Sequence, residues 1–600
     1  MQIKYAGAVL TLVMVVMGLG SENASAAVQS MISQSNPKLW TYTGRDVVFT
    51  VDDQLAPCNG DPIFGDPISG DPPYIKIDFG DGAGAHLYPL NDTVHVHYTG
   101  VGRKVILRSA LCGTPHVSDD SNSQYLVYDL PINFEVRDLD STKQPDNVWT
   151  DFYGPSYTDA SGANYPGYGN VYIYNSKRTP GAPLVNPVIV IDGFDPDNTR
   201  NEDEIYEIMN KNRLLETGRD RGLDFVVLDP GGWDWGMSKG FGGAEYIQRN
   251  ALLLEALIQK VNQVKVGSSP LVVIGPSMGG LIARYALADM ERRNIPHNTR
   301  LFVSFDSPQR GANIPLGDQY FLEYFADYSA EALANLNKLK TPAARQMLVY
   351  SVSHFSDGGS RSVDSKIARA DDLFTPFYNE LASLGYPKKL RKIALANGRG
   401  DGVGQGFNPG DPLVQYTYGA KEIVNCNLLI PGRTDPYIVG DTWAVGSYAT
   451  IFHGNATCGG VYAEKDPEWI TLKVAVLPYD TAPGGSHDAT QQIADSSVEY
   501  GDVTTTRPYA AFVPTVSALD INTTDLFYNV AGDANIYAKT PFDKIYFATA
   551  PQSYKLDRFA TTTVMFNNEQ HIDITAEKAQ IFLNEITMPW LTPVINFILQ

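Results

Sequence analysis

Ser277 is the residue whose surroundings point most directly to chemistry. It lies in the sequence LVVIGPSMGG, residues 271–280, where Gly275 and Gly279 flank it after a run of strand-forming apolar residues. A serine attacks a carbonyl only if its hydroxyl stands clear of the backbone, and a tight strand-to-helix turn with glycine on both sides provides this exposure. The residues after this turn have the apolar spacing of a helix. Strand, turn and helix together predict a nucleophilic serine.

The elements around this turn predict an α/β fold with a doubly wound, mostly parallel sheet, because short apolar strands alternate with helical segments. The strand-like segments are PVIVIDGFDP (187–196), LDFVVLDP (223–230), TRLFVSFDSP (299–308) and KLRKIALA (389–396). With the Gly-x-Ser-x-Gly turn, this pattern resembles the α/β-hydrolase superfamily, in particular lipases and glycosylphosphatidylinositol-deacylase-like esterases. The resemblance extends over roughly residues 172–586. It implies a Ser-His-acid triad that requires neither a cofactor nor a metal.

The resemblance places the base of the triad on a loop between the last strand and a terminal helix. His571 fits this position best, because it lies in MFNNEQHIDIT and residues 576–586 after it have helical character. Thr575 or Asp573 would cap that helix. His487, in the polar and glycine-rich loop APGGSHDATQQ, is the alternative base.

The acid of the triad must be a carboxylate at the end of a neighbouring strand, where it can orient the imidazole. Asp401 is the first choice, because it follows the strand 389–396 in the turn NGRGDGV, where lipases often carry an Asp-Gly turn. Asp306 follows the preceding strand in SFDSP and is the alternative, since some lipases take the acid from there.

Two backbone amides are predicted to bind the oxyanion that forms during acyl transfer. The resemblance assigns this role to the amide of Met278, directly after the serine, and to that of Phe194, after an earlier strand. Asp192, Asp195 and Asp197 surround the second amide. Their charge predicts that anionic substrates are disfavoured.

Residues 1–26 have the form of a signal peptide, with Lys4, an apolar run and the cleavage sequence Ala24-Ser25-Ala26. We therefore expect a secreted, periplasmic or cell-surface protein. The net charge of −21 argues against nucleic acid and anionic membrane surfaces as partners. The 600 residues suit two or three domains.

The four cysteines agree with export. They fall into two local pairs, and loop closure favours a disulfide within each pair. The predicted bridges are Cys58 with Cys112 and Cys426 with Cys458.

Residues 35–137 have the short alternating strands of an all-β module and no helical periodicity. The segments IKIDFGDG (75–82) and VHVHYTGVGRKVILR (94–108) resemble the polycystic-kidney-disease-type β-sandwich. This module could contact a surface or polymer. Residues 138–170 are rich in glycine, proline, serine and tyrosine, which predicts a linker before a hydrolase domain at 171–600.

Two insertions are predicted to interrupt the hydrolase domain, a helical cap at about 312–387 and a polar, glycine-rich excursion at about 404–540. Aromatic side chains in the cap form either an acyl pocket or the core of the cap itself. These aromatic residues are Tyr320, Phe321, Tyr324, Phe325 and Tyr328.

Together these features predict an exported serine hydrolase that cleaves carboxylic esters, with an ester or lipid-like substrate. Two alternatives stay open. The scaffold could be inactive and serve as a surface binding module, or it could be a serine peptidase, which shares the triad and differs in its pocket.

Overall fold

The computed structural model divides the chain into two compact units, Met1–Leu139 and Asp140–Gln600. In the first unit it describes residues 28–30, 40–43, 46–50, 74–89, 93–98, 102–112 and 126–137. In the second it describes residues 144–587, except 179–182, 199, 201, 235–238, 327–328, 353–362, 365–372, 419–435, 447–448, 459–460, 463–468, 475, 498–501, 549–551, 555–563 and 567.

The first unit consists of β-strands over its described residues. The strands are β1 (Val28–Ser30), β2 (Trp40–Thr43), β3 (Asp46–Thr50), β4 (Tyr74–Asp78), β5 (His86–Pro89), β6 (Thr93–His97), β7 (Gly102–Cys112) and β8 (Leu126–Arg137). They form a three-stranded sheet, β1-β3-β6, and a five-stranded sheet, β2-β8-β7-β4-β5. The stacking of these sheets into a sandwich, and the resemblance to the polycystic-kidney-disease-type module, stay predictions.

The second unit contains both helices and strands. Its strands are β9 (Asn147–Thr158), β10 (Asn164–Tyr174), β11 (Pro187–Ile191), β12 (Asp224–Pro230), β13 (Gly232–Asp234), β14 (Lys239–Phe241), β15 (Leu271–Pro276), β16 (Thr299–Phe305), β17 (Val363–Asp364), β18 (Arg391–Arg399), β19 (Pro412–Tyr418), β20 (Pro436–Trp443), β21 (Ala449–Cys458), β22 (Val461–Tyr462), β23 (Trp469–Val474), β24 (Gly484–His487), β25 (Asp502–Thr505), β26 (Ala510–Pro514), β27 (Lys544–Ala548), β28 (Gln552–Tyr554) and β29 (Val564–Phe566). Its α-helices are α1 (Glu202–Asn210), α2 (Leu214–Asp220), α3 (Ile247–Val264), α4 (Met278–Arg292), α5 (Leu316–Phe325), α6 (Ala330–Leu339), α7 (Pro342–Met347), α8 (Phe374–Leu384), α9 (Ala489–Ser497), α10 (Thr515–Ala518) and α11 (Ala576–Thr587).

An eight-stranded sheet with the order β27-β18-β16-β15-β11-β12-β10-β9 forms the centre of the second unit. The six strands from β27 to β12 pair in parallel, and β10 and β9 add an antiparallel edge. The mostly parallel sheet predicted from the sequence is therefore confirmed. Its parallel strands bring their carboxyl ends to one edge, where functional groups of open α/β sheets gather.

Helices cover both faces of this sheet. Successive side chains of each strand point to opposite faces, so neighbouring residues of one strand pack against different helices. Ile189 and Ile191 of β11 pack in one buried cluster with α3 and α4. Val188 and Val190 of the same strand pack in another, with α1, α2 and α11. Burying each such side chain contributes about 1.5–3 kcal/mol, so the two clusters fix the sheet firmly.

The segment predicted to be a linker, 138–170, is instead part of the sheet from residue 147 onward. The strands β9 and β10 form an antiparallel hairpin, and β10 also pairs with β12. Pro166 is tolerated because β10 pairs with β12 only from Gly169 onward. A Cβ at Gly169 would lie 2.3 Å from the Asp229 carbonyl oxygen, so the glycine permits close strand pairing rather than flexibility.

The two predicted insertions pack against each other. The 404–540 segment supplies most of a seven-stranded sheet, β17-β23-β21-β20-β19-β25 with β22 beside β21. Phe321 and Tyr324 of the helical insertion contact Tyr416 and Phe452 of that sheet, with ring centroids 6.0 and 5.5 Å apart. The described cap aromatics therefore form a core with this second sheet. Tyr328 lies outside the described residues.

Several predictions concern parts of the chain that the structure does not describe. The signal peptide at 1–26, Cys58 and Cys426 lie outside the described residues, while Cys112 and Cys458 end strands whose backbone alone is described there. Export and both disulfides stay predictions. Among the described residues, none of the helices combines the length and apolar character needed to cross a membrane.

Candidate active site

Ser277 occupies a sharp turn between β15 and α4. Its backbone has φ 52° and ψ −129°, a conformation uncommon for a residue with a side chain. The flanking glycines are required by space, because a Cβ at Gly275 would lie 2.4 Å from the Gly279 carbonyl oxygen and one at Gly279 would lie 2.9 Å from that of Ile191. The local sequence thus permits a strained turn that presents the serine hydroxyl at the end of the strand.

His571 contacts both Ser277 and Asp306. Its Nε2 lies 2.8 Å from Ser277 Oγ, and its Nδ1 lies 2.7 Å from Asp306 Oδ2. Because a carboxylate only accepts hydrogen bonds, Nδ1 is the donor to Asp306 and Nε2 is left to accept from the serine hydroxyl. In this arrangement His571 can take the proton of the Ser277 hydroxyl, and the Asp306 carboxylate can stabilise the imidazolium that forms.

The segment carrying His571 is fixed by its neighbours. His571 N donates to the Ser486 carbonyl at 2.8 Å. The histidine precedes α11, whose first turn is capped by Thr575 Oγ1, 3.3 Å from the Lys578 amide. The predicted position of His571 before a capped terminal helix is therefore present in the structure.

Asp306 follows β16 directly, and its side chain is fully buried. Its Oδ1 accepts a hydrogen bond of 2.9 Å from the Asn397 amide of the neighbouring strand β18. A Cβ at Gly485 would lie 2.0 Å from Asp306 Oδ2, so only glycine leaves room for the carboxylate. The surrounding backbone therefore holds this carboxylate in one place.

The prediction that Asp401 orients His571 is wrong. The Asp401 carboxylate is paired with the Arg399 guanidinium, with Arg399 Nε 2.9 Å from Oδ1, and it also accepts from the Val403 amide at 3.2 Å. The hydrogen bond from Arg399 holds the pKa of Asp401 below its ordinary value. Its negative charge is satisfied within its own turn, and the alternative residue, Asp306, is the one beside the imidazole.

His487, the alternative base, lies in the same pocket but does not take the place of His571. The ring of Phe512 packs against both imidazoles, with centroids 5.2 Å from His487 and 4.7 Å from His571. Ser277 Oγ is hydrogen bonded to His571. His487 is therefore a residue of the pocket wall rather than the partner of the serine.

The two amides predicted to bind an oxyanion belong to segments on either side of Ser277. Met278 is the first residue of α4, where backbone amides are left without helical partners. A Cβ at Gly193 would lie 3.5 Å from Ser277 Cβ, so the turn that carries Phe194 passes beside the serine. Gly193 and Phe194 line the same pocket as Ser277.

Arg200 is a pocket residue that the sequence reasoning missed. Its Nη2 donates to the Phe194 carbonyl at 2.7 Å and lies 3.0 Å from Asp192 Oδ2, while its backbone amide donates to Asp195 at 3.0 Å. Burial raises the pKa of Asp192 to about 6, although the guanidinium opposes the shift. Burial also raises the pKa of Asp229, to about 7, with Asp192 adding to the effect. Buried aspartates need a nearby cation. The aspartates that precede Arg200 were therefore the feature of the sequence that could have predicted Arg200 as their partner.

A pocket of about 310 Å³ opens beside Ser277 and His571. Phe194, Phe512 and Ile572 form its apolar lining. Its polar lining consists of Arg200, Ser486, His487, Asp488 and Gln570. This volume is at the small end of ligand sites, which suits a small substrate. Within the described residues, no group of three or more metal-binding side chains occurs.

Comparisons with known proteins give partial similarities in fold. No protein-family model matches the chain, and no curated protein matches it. The mature lipase BlEst2 of Bacillus licheniformis has 15% identity and a TM-score of 0.24, covering 39% of this chain and 72% of its own. The Pyrobaculum calidifontis esterase has 14% identity and a TM-score of 0.24, covering 42% and 68%. Est1E from Butyrivibrio proteoclasticus has 18% identity and a TM-score of 0.17, covering 26% of this chain and 51% of Est1E, about half its length.

Proposed function

We propose that this protein is a serine hydrolase that cleaves small carboxylic esters through an acyl-enzyme on Ser277. The observation that carries the proposal is the continuous set of contacts from the buried Asp306 through His571 to the serine hydroxyl, 2.7 and 2.8 Å long. A hydroxyl, an imidazole and a carboxylate in this order form the arrangement that activates a serine nucleophile.

In the proposed reaction, His571 Nε2 takes the proton of Ser277 as the hydroxyl oxygen attacks the ester carbonyl carbon. The backbone amides of Met278 and Phe194 stabilise the negative charge on the carbonyl oxygen. The imidazolium then gives its proton to the leaving alcohol, and an acyl group remains on the serine. Water, activated by the same imidazole, releases the acid, while Asp306 keeps the imidazole oriented in every step.

The pocket favours an ester over a peptide. A peptide substrate is ordinarily held as an extended strand along a sheet edge or groove, whereas this pocket has a volume of about 310 Å³. The positions of Asp306 and Gly485 also favour activity over an inactive scaffold. A Cβ at Gly485 would lie 2.0 Å from the carboxylate oxygen, so the backbone is shaped around a charge that a binding module would not need.

Labelling with a fluorophosphonate tests this proposal, because only an activated serine reacts rapidly with it. We expect one label, on the peptide that contains Ser277. Among p-nitrophenyl esters, we expect kcat/KM to be highest for acetate or butyrate and lowest for palmitate, since the pocket is small. Peptide anilides are the control for a peptidase. A folded protein without the label, or one that cleaves only anilides, would refute the proposal.

Arg200 is expected to act as a positioning residue for the turn that carries the Phe194 amide. Arg200→Gln removes the ion pair with Asp192 and the bond to the Phe194 carbonyl, so we expect kcat for p-nitrophenyl acetate to fall about 10- to 100-fold, with a smaller change in KM. Arg200→Lys should recover part of the loss. Arg178→Gln, which removes a guanidinium bonded to the Asp220 carbonyl, is the matched control. A loss confined to KM would contradict this role.

A further inference from the structure

The pocket has a polar side next to His571 that ester cleavage itself does not use. The strand β24 carries Ser486 and His487, and its Ser486 exchanges backbone hydrogen bonds with the segment of Glu569 and His571, at 2.9 and 2.8 Å. This pairing places the backbone of His487 next to the segment that carries His571. The ring of Phe512 packs against both imidazoles.

His487 Nδ1 is buried and has no hydrogen-bond partner among the described residues. The Oδ1 of Asp488 is 3.6 Å from His487 Nδ1, which is beyond hydrogen-bond distance. Burial lowers the pKa of His487, and the neighbouring carboxylate opposes this shift. A neutral imidazole can accept one hydrogen bond and donate another, and this side chain is 34% exposed, so a molecule in the pocket can reach the ring.

His487 lies on the side of the pocket where the alcohol part of an ester is expected to bind. The leaving oxygen must approach His571 Nε2 to receive its proton, so the alcohol extends along the side of the pocket that His571 and its paired strand form. We propose that His487 binds a free hydroxyl of the alcohol and makes the enzyme selective for small esters of neutral polyols. The inference rests on the proposed function.

The charges in the pocket favour a neutral alcohol. The guanidinium of Arg200 lines the pocket and disfavours a cationic alcohol. The carboxylate of Asp488 lines it as well and disfavours an anionic one. Uncharged hydroxyl groups meet neither repulsion and can form a hydrogen bond with the part of the His487 imidazole that is exposed in the pocket.

Glycerol monoacetate and n-propyl acetate provide a matched pair of probes, because they share the acyl group and the three-carbon alcohol and differ in two hydroxyls. The readout is selectivity, the ratio of kcat/KM for glycerol monoacetate to that for propyl acetate. We expect the wild-type protein to prefer glycerol monoacetate. His487→Phe keeps a ring beside Phe512 and removes the nitrogen, so selectivity should fall about tenfold, which corresponds to about 1.4 kcal/mol.

Two further variants keep the test decisive. His487→Gln restores a hydrogen-bonding group and should recover part of the selectivity even if the phenylalanine variant folds poorly. His453→Phe is the control, because His453 is bonded to Thr471 in the second sheet, and its selectivity should equal that of the wild type. Cleavage of both esters with unchanged selectivity in both His487 variants would overturn this inference alone. Cleavage of neither ester, together with an unlabelled Ser277, would overturn the proposed function as well.

Discussion

Ser277→Ala and His571→Ala are each expected to lower kcat by several orders of magnitude, on the order of 10⁶. The double variant should be no slower than either single variant, because the two side chains act as a unit through the 2.8 Å contact between them. The measurement is the hydrolysis of p-nitrophenyl acetate under saturating conditions, with circular dichroism to verify folding. Residual activity should come from the oxyanion-binding amides, which both variants keep.

Matched controls separate this effect from general damage. Ser269→Ala removes a hydroxyl bonded to Asn186, and His453→Ala removes an imidazole from the second sheet. Both should keep the wild-type rate. If His571→Ala retained full activity and His487→Ala did not, the base would be His487 and the proposed mechanism would be wrong.

Asp306→Asn is expected to lower kcat by about 10⁴, because an amide no longer holds the imidazole in the tautomer that accepts from the serine. Asp401→Asn is the matched control, since Asp401 is engaged with Arg399. It should change kcat by less than about threefold, because Asp401 is paired with Arg399 rather than with the imidazole. Losing that ion pair should cost about 0–1 kcal/mol of stability. Both variants are compared with wild type in kcat and in thermal unfolding. A severe loss in Asp401→Asn with normal activity in Asp306→Asn would reverse the assignment.

The turn of Ser277 and the position of His571 were predictable because each is marked by local sequence. Glycines flank Ser277 for reasons of space within one turn, and His571 precedes a helix with a visible cap. The acid was harder to predict, since Asp306 and Asp401 both follow parallel strands. What separates them is Arg399, two residues before Asp401, which neutralises that carboxylate in its own turn. Sequence alone could not show which strand end reaches the imidazole.

The edges of the sheet depend on contacts between distant residues. The pairing of β10 with β12 joins segments about 60 residues apart and is invisible to periodicity, because glycine and proline in β10 have the composition of a linker. The edge strand β27 is only five residues long and follows a long insertion. Arg200 has no motif at all. Its partners Asp192 and Asp195 lie only eight and five residues before it, so these contacts are local.

The bond between Ser277 and His571 joins residues 294 positions apart. The serine turn and the strands β11, β12, β15 and β16 all lie between residues 187 and 305, so their residues are synthesised long before the histidine. Contacts across such distances form late in folding. If the proposed function is correct, an unfinished chain holds Ser277 without His571, and we expect ester hydrolysis only after residue 571 has been synthesised.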